Sequence, residues 1–374
     1  MLLPCAVADM TLEATSHWRN RGRRGDSLLD ETLTLVDIPS PSGAEGAAAD
    51  YVERRLRGCG HLDVVRVRNS VVARTSKRRG CRLLLAGHVD TVRPADPPQV
   101  VRRDDDVVYG RGAVDMKGGV AVLLALADRV LGDATSDVTV VVYDREETGS
   151  HGSGMRLLAE SYAELLHADA AVVLEPTGGW AELGCQGNLG VLATFEGRPA
   201  HTARPWQGVN AAHRAAAAIA RCAEHRVKAE TVEGFVYSQA FEIVGLQAGG
   251  AVNVVPDRCS LLVNARYAPS RDRDAVLAEV MELLAGADEI DVTVDSPAAR
   301  PRVDAPLLRD LVAHPSVRTR PKLGWTDIGR LAQLGVPAVN FGPGDPELAH
   351  TADERVSGAD LTFVHDRIAE LVTS

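Results

Sequence analysis

Three continuous apolar runs in this chain give out into side chains that bind metals or move protons. LLLAGHVD ends on His88 and Asp90, VTVVVYDREE on Glu146 and Glu147, and AAVVLEP on Glu175. A strand that is apolar on both faces needs cover on both faces, the pattern of a mostly parallel sheet between helix layers. Open sheets of that kind place their chemistry beyond the carboxyl ends of their strands. Two more residues join the set: Asp115 in GRGAVDMKGG, and His350 after VNFGPGDPELA. Two imidazoles with several carboxylates form a donor set suited to Zn²⁺ or a close neighbour.

The rest of the composition narrows the class. At 374 residues and 45% hydrophobic, the chain can bury more than one core. A formal charge of -10 argues against a nucleic-acid binder. Cysteines at 5, 59, 81, 185, 222 and 259 show no CxxC spacing, which argues against a disulfide framework or a zinc-finger module and makes most of them small core residues. The opening MLLPCAVADM turns polar too soon for a signal peptide, and no run reaches membrane-spanning length. A cytoplasmic protein is expected, with residues 1–24 a loose extension.

Periodicity predicts helices over 26–38 and 45–57, strands at 62–67, 70–74 and 82–87, and a Pro-rich loop at 93–99. A buried helix starts just after Asp115, a strand spans 138–143, MRLLAESYAELL forms one helix, and 170–175 is a further strand ending on Glu175. This alternation predicts an α/β sheet flanked by helices. After Pro176 the pattern changes. A strand with one solvated face (LGVLATFEG), a helix at 209–225, strands FEIVGLQAGG and CSLLVNARYAP, a helix RDAVLAEVMELLAG and a strand IDVTVDS give the order β-α-β-β-α-β, a ferredoxin-like arrangement. The expectation is a small domain at 181–293 inserted into a larger one made of 25–180 and 294–374.

His-x-Asp at 88 and 90 puts both side chains on one face of a strand end. His88 is read as a ligand and Asp90 as the group that orients it from behind. The glycines around Asp115 permit a tight backbone, and its two oxygens suit it to bridge two ions. Adjacent acids at the end of an apolar strand are costly unless a cation is near. In a strand-like backbone Glu146 and Glu147 point to opposite sides, so Glu147 is assigned to metal and Glu146 to proton transfer. Glu175 and His350 complete the ligands. Asp115, Glu147 and Glu175 leave one positive charge uncompensated on a pair of divalent ions, a setting that lowers the pKa of water toward ~7. Glu146 can then take up a proton and return it to a leaving nitrogen, which is amide hydrolysis.

The stretches GHVDTV, YGRGAVDMKGG, REETGS, LEP, GRPAHTARPWQGVNA and the late His350 loop resemble the M20 family of metallopeptidases and deacylases, over roughly 28–374. Within that family GCQGNLGV, AVNVVP, VNARYAPSR, KLGWTDIGR and VNFGPGDPELAH are similar to the actinobacterial desuccinylases that act on N-succinyl-L,L-2,6-diaminopimelate in lysine and diaminopimelate synthesis. The resemblance implies a zinc-peptidase-like mixed sheet with an inserted ferredoxin-like dimerisation (lid) domain. It implies two divalent ions, Zn²⁺ or alternatively Co²⁺, one held by His88, Asp115 and Glu175 and the other by Asp115, Glu147 and His350. Glu146 resembles the general base and Asp90 the partner of His88. His201, in PAHTARP, would reach into the active site of a second subunit, Arg266 would grip a substrate carboxylate, and Asn253 would line the substrate pocket. The family's lysine after the last histidine is Thr351 here, and its Arg-rich turn carries Gln186; both positions bear on how substrate carboxylates are held. The alternatives are another N-acyl amino-acid deacylase of the acetylornithine type, a dipeptidase, a secondary-metabolism amidohydrolase, or a non-catalytic binding protein of the same fold.

Overall fold

The computed structural model describes residues 25–93, 99–149 and 152–374. The extension expected at 1–24 and most of the Pro-rich loop at 93–99 lie outside these residues.

The large sheet has eight strands, in the spatial order Asp63–Val67, Ser70–Arg74, Asp137–Tyr143, Arg82–His88, Ala170–Val173, Ala338–Asn340, Ala181–Cys185, Thr319–Lys322. The four in the middle, from Asp137–Tyr143 to Ala338–Asn340, run parallel. Their neighbours on either side are antiparallel to them. The apolar runs are buried on both faces, as their composition requires. Leu83 and Leu85 pack under a helix through 25–36 and the helices Gly46–Arg57, Gly118–Arg129 and Gly358–Thr373, while Leu84 and Ala86 pack with Met155, Leu158, Ile328 and Leu331 on the other side. A three-stranded sheet, in the order Arg355–Ser357, Val107–Tyr109, Arg102–Asp104, lies beside this body.

The second sheet has its own core, with Leu189, Val191, Ala193 and Phe195 packed against the helices Ala211–Glu224 and Arg273–Leu283. Its spatial order is Lys228–Val232, Phe235–Ala248, Arg258–Tyr267, Gly187–Glu196, Glu289–Ser296. All pairings are antiparallel. The last four strands follow the ferredoxin-like order, and Lys228–Val232 is an added edge strand that hairpins onto its neighbour. Charge and exposure hid it: Lys228-Ala-Glu-Thr carries little apolar signal, and only Val232 is buried.

Several expected boundaries shift. Ala181–Cys185 belongs to the large sheet and Glu289–Ser296 to the small one, so the inserted unit runs from 187 to 296 instead of 181 to 293. The Gly187–Glu196 strand has no broad solvated face, since helices cover one side of it and most of the other is buried. The helix expected over MRLLAESYAELL breaks at Tyr162, whose φ of -142° ends one helix and precedes a short second one. The described cysteines, 59, 81, 185, 222 and 259, are unpaired.

Candidate metal centre

His88 is the last residue of its strand, Glu146 and Glu147 follow Tyr143 in the neighbouring strand, and Glu175 lies two residues beyond Val173 in the next. All therefore gather at the carboxyl edge of the parallel strands. Asp115 arrives from a tight turn that precedes the helix Gly118–Arg129. Gly112 enters that turn at φ 83°, and a Cβ there would meet Thr91 Cγ2 at 2.6 Å, so the turn needs glycine. His350 follows a 3-10 turn at Pro346–Leu348 and takes a left-handed φ of 64°.

The side chains converge on Asp115. Its Oδ1 is 3.0 Å from His88 Nε2, and its Oδ2 is 3.3 Å from His350 Nε2. His350 Nε2 also lies 2.9 Å from Glu147 Oε1, and His88 Nε2 is 4.0 Å from Glu175 Oε1. Ligand atoms of His88, Asp115 and Glu147 all fall within 4.8 Å of one another. Two imidazoles thus face opposite oxygens of one carboxylate, with one further acid behind each.

The electrostatics fit a cation. Burial pushes Glu175 up to about 8, with the Asp115 charge adding to it. Its Oε1 is buried and accepts no hydrogen bond among the described residues, an orphaned acceptor that a metal ion would satisfy. Hydrogen bonds to Asp115 and Glu147 raise His350 to about 10. Burial works to lower His88, but its contacts with Asp115 and Asp90 win and hold it well above the usual range. The acids around both imidazoles favour a positive charge there, the charge a metal ion would supply. Burial likewise pushes Glu146 well above the usual carboxylate range, and the nearby Glu175, Asp327 and Glu147 add to it.

Asp90 does more than back His88. Its carboxylate accepts the Glu146 N–H at 2.9 Å, the Glu147 N–H at 3.1 Å and the Ser42 hydroxyl at 2.6 Å, while His88 Nδ1 is 3.0 Å from its backbone oxygen. These bonds correct one expectation. Glu146 and Glu147 sit in a bend and turn after the strand, beyond Arg145 at φ 57°, and not in extended backbone. Asp90 holds both of their backbone N–H groups.

The cluster brings together seven of the expected residues: His88, Asp90, Asp115, Glu146, Glu147, Glu175 and His350. His201, Asn253 and Arg266 lie on the inserted unit instead. His201 is exposed and bridges to Val254, with the Thr202 N–H donating to Asn253 O at 3.0 Å. Arg266 is half-buried in the Arg258–Tyr267 strand, with its Nε donating to Asn264 Oδ1 at 3.2 Å. The Thr351 hydroxyl caps Leu348 O, and Gln186 donates to Ser238 O. Two acids near the cluster escaped the sequence reading. Asp327 is fully buried 3.1 Å from Arg330, and burial pushes it up to about 6. Glu354 is fully buried beside the Asp115 turn. Only their apolar neighbours, Ile328 and Val356, could have marked them in the sequence.

With this geometry established, similarity identifies the class. Residues 84–374 match the model of peptidase family M20/M25/M40, and the chain belongs to that family. It is 42% identical over 345 residues to a Mycobacterium tuberculosis protein provisionally named a succinyl-diaminopimelate desuccinylase, covering 92% of this chain and 97% of that one. It is 40% identical over 353 residues to the succinyl-diaminopimelate desuccinylase of Corynebacterium glutamicum, covering 91% and 94%. The Bacillus subtilis YXEP protein, a dinuclear metal-binding peptidase of the M20 family, shares the fold at a TM-score of 0.70 and 15% identity, over 94% of this chain and 98% of that one. Membership of the family, with these relatives, makes the chain a hydrolase acting on an amide.

Proposed function

We propose that this chain hydrolyses N-succinyl-L,L-2,6-diaminopimelate to succinate and L,L-diaminopimelate, a step of lysine and diaminopimelate synthesis, in the cytoplasm. The observation that carries the mechanism is Asp115, whose two oxygens face two different imidazoles at 3.0 and 3.3 Å. His88, Asp115 and Glu175 would hold one divalent ion, and Asp115, Glu147 and His350 the other. Zn²⁺ fits the nitrogen and carboxylate donors, with Co²⁺ as the alternative. Such ions polarise a carbonyl and ease the deprotonation of water.

The protein supplies the proton path. Glu146 ligates nothing in this scheme. It takes a proton from the water that attacks the amide carbon, and burial makes it hold that proton firmly. As the C–N bond breaks, Glu146 passes that proton to the departing nitrogen, and the second proton of the water follows it to the amine, so the amine leaves as an ammonium and succinate as the carboxylate. Asp90 keeps the Glu146–Glu147 turn in place for both roles. Arg266, with its planar fork, grips a substrate carboxylate, and Asn253 lines the pocket. The inserted unit pairs two subunits, and His201 of the partner subunit stabilises the oxyanion.

The substrate rests on the two relatives, which align over nearly their whole length. The test is a panel of N-succinyl, N-acetyl and dipeptide substrates offered to purified protein with added Zn²⁺ or Co²⁺. The succinylated diaminopimelate should give the highest kcat/KM. A preference for acetylated ornithine would overturn the substrate and leave the amide chemistry standing.

A further inference from the structure

Glu354 is buried and unused in the proposed reaction, yet it joins two of the loops that carry the second ion's ligands, those of Asp115 and His350. Its Oε1 accepts the backbone N–H of Asp115 at 3.2 Å and that of Val114 at 3.3 Å. Its Oε2 accepts Arg111 Nη1 at 2.9 Å. Its backbone oxygen accepts the Gly110 N–H at 3.1 Å and the Gln99 side-chain amide at 3.0 Å. The next residue, Arg355, opens the strand that pairs with Val107–Tyr109. Five donors from the segment 99–115 therefore converge on one residue, four positions after His350.

The arrangement has a direction. With both carboxylate oxygens occupied by N–H donors, Glu354 is no ligand. It fixes the turn from which Asp115 projects, and it fixes the chain leaving His350. His88 and Glu175 stand at the ends of central strands, in a sheet held by its own ladder. Glu147 is tied down separately by Asp90. Loss of Glu354 thus frees Asp115 and His350 relative to each other while His88, Glu175 and Glu147 stay in place.

We infer that Glu354, braced by Arg111, is the positioning residue that sets Asp115 against His350, and that it governs affinity for the ion at Asp115, Glu147 and His350 more than for the ion at His88, Asp115 and Glu175. This inference rests on the two-ion reading. The experiment is a zinc titration of metal-stripped full-length protein against a competing chelator, for wild type, Glu354→Ala and Glu354→Gln, with the melting temperature of each stripped protein measured alongside.

Outer groups of this kind contribute about 10–100-fold to metal affinity. Glu354→Ala should weaken the second ion by roughly that factor and the first by clearly less. Glu354→Gln keeps a carbonyl acceptor for the two N–H groups and loses the charge facing Arg111, so it should fall between. Equal losses at both ions, or wild-type affinity at both, would overturn the inference. If Glu354→Ala does not fold, the same two criteria apply to Glu354→Gln. Wild-type protein that takes up fewer than two ions refutes the two-ion reading, and this inference with it.

Discussion

Glu146 and Glu147 are neighbours with different surroundings. Glu147 lies 2.9 Å from His350, whereas Glu146 is half-buried near other acids and pushed well above the usual carboxylate range. Glu146→Gln preserves shape and removes the proton carrier. It should leave metal content nearly unchanged and lower kcat by about 10²–10⁴-fold. Metal loss in that variant, or near-normal turnover, would remove Glu146 from the role. A second prediction concerns protein stripped of metal. Glu175, ordinarily 4.5, is raised to about 8, and His350, ordinarily 6.5, to about 10. Both hold protons more tightly folded than unfolded. Their contribution is complete below the ordinary values and is lost as pH rises through about 8 and about 10. Asp115 is held below its ordinary range, so its titration is over before this window opens. The melting temperature of stripped protein should therefore fall between about pH 5 and 8, and added zinc should flatten the slope; above about pH 8 the buried Lys117, lowered to about 8, opposes His350. A stripped protein that grows more stable across this window would contradict the assignment.

Gly342 shows how closely the elements of the site depend on one another. A Cβ at this position would strike the backbone oxygens of Leu174 and Glu175. Gly342→Ala must push the loop after Ala338–Asn340 away from the strand that delivers Glu175. The expected cost is about tenfold or more in metal affinity, read as zinc per subunit after dialysis; unchanged retention would show that Glu175 tolerates the shift. The same contrast explains what the sequence makes legible. Central strands announce themselves because both faces are apolar, and His88, Glu147 and Glu175 announce themselves because they end those runs. Lys228–Val232 and Thr319–Lys322 did not, since edge strands need only one apolar face or none. Ala181–Cys185 joined the wrong unit because sheet membership is set by partners distant in the chain. Asp90's hold on the Glu146–Glu147 turn and Glu354's hold on Asp115 were equally invisible. Both act across more than fifty positions through backbone N–H groups, which leave no residue-type signature.

At the scale of the whole molecule, the proposed metal ligands and the expected substrate contacts belong to different units of the fold. The large sheet carries the metal cluster, and the unit from 187 to 296 carries His201, Asn253 and Arg266. That unit exposes Trp206, Val252 and Val254 near His201, apolar residues that the proposed pairing of two subunits would cover. Mixing Glu146→Gln with His201→Ala subunits should form hybrid dimers with one intact composite site and partial recovery of activity. Hybrids confirmed by mass spectrometry that stay inactive would count against sharing. The account stands most directly on the two ions themselves. Crystals grown in excess zinc should give two anomalous peaks flanking Asp115 at the zinc edge. One should be touched by His88 and Glu175, the other by Glu147 and His350. A single peak, with Glu147 or His350 turned away from it, would contradict the account.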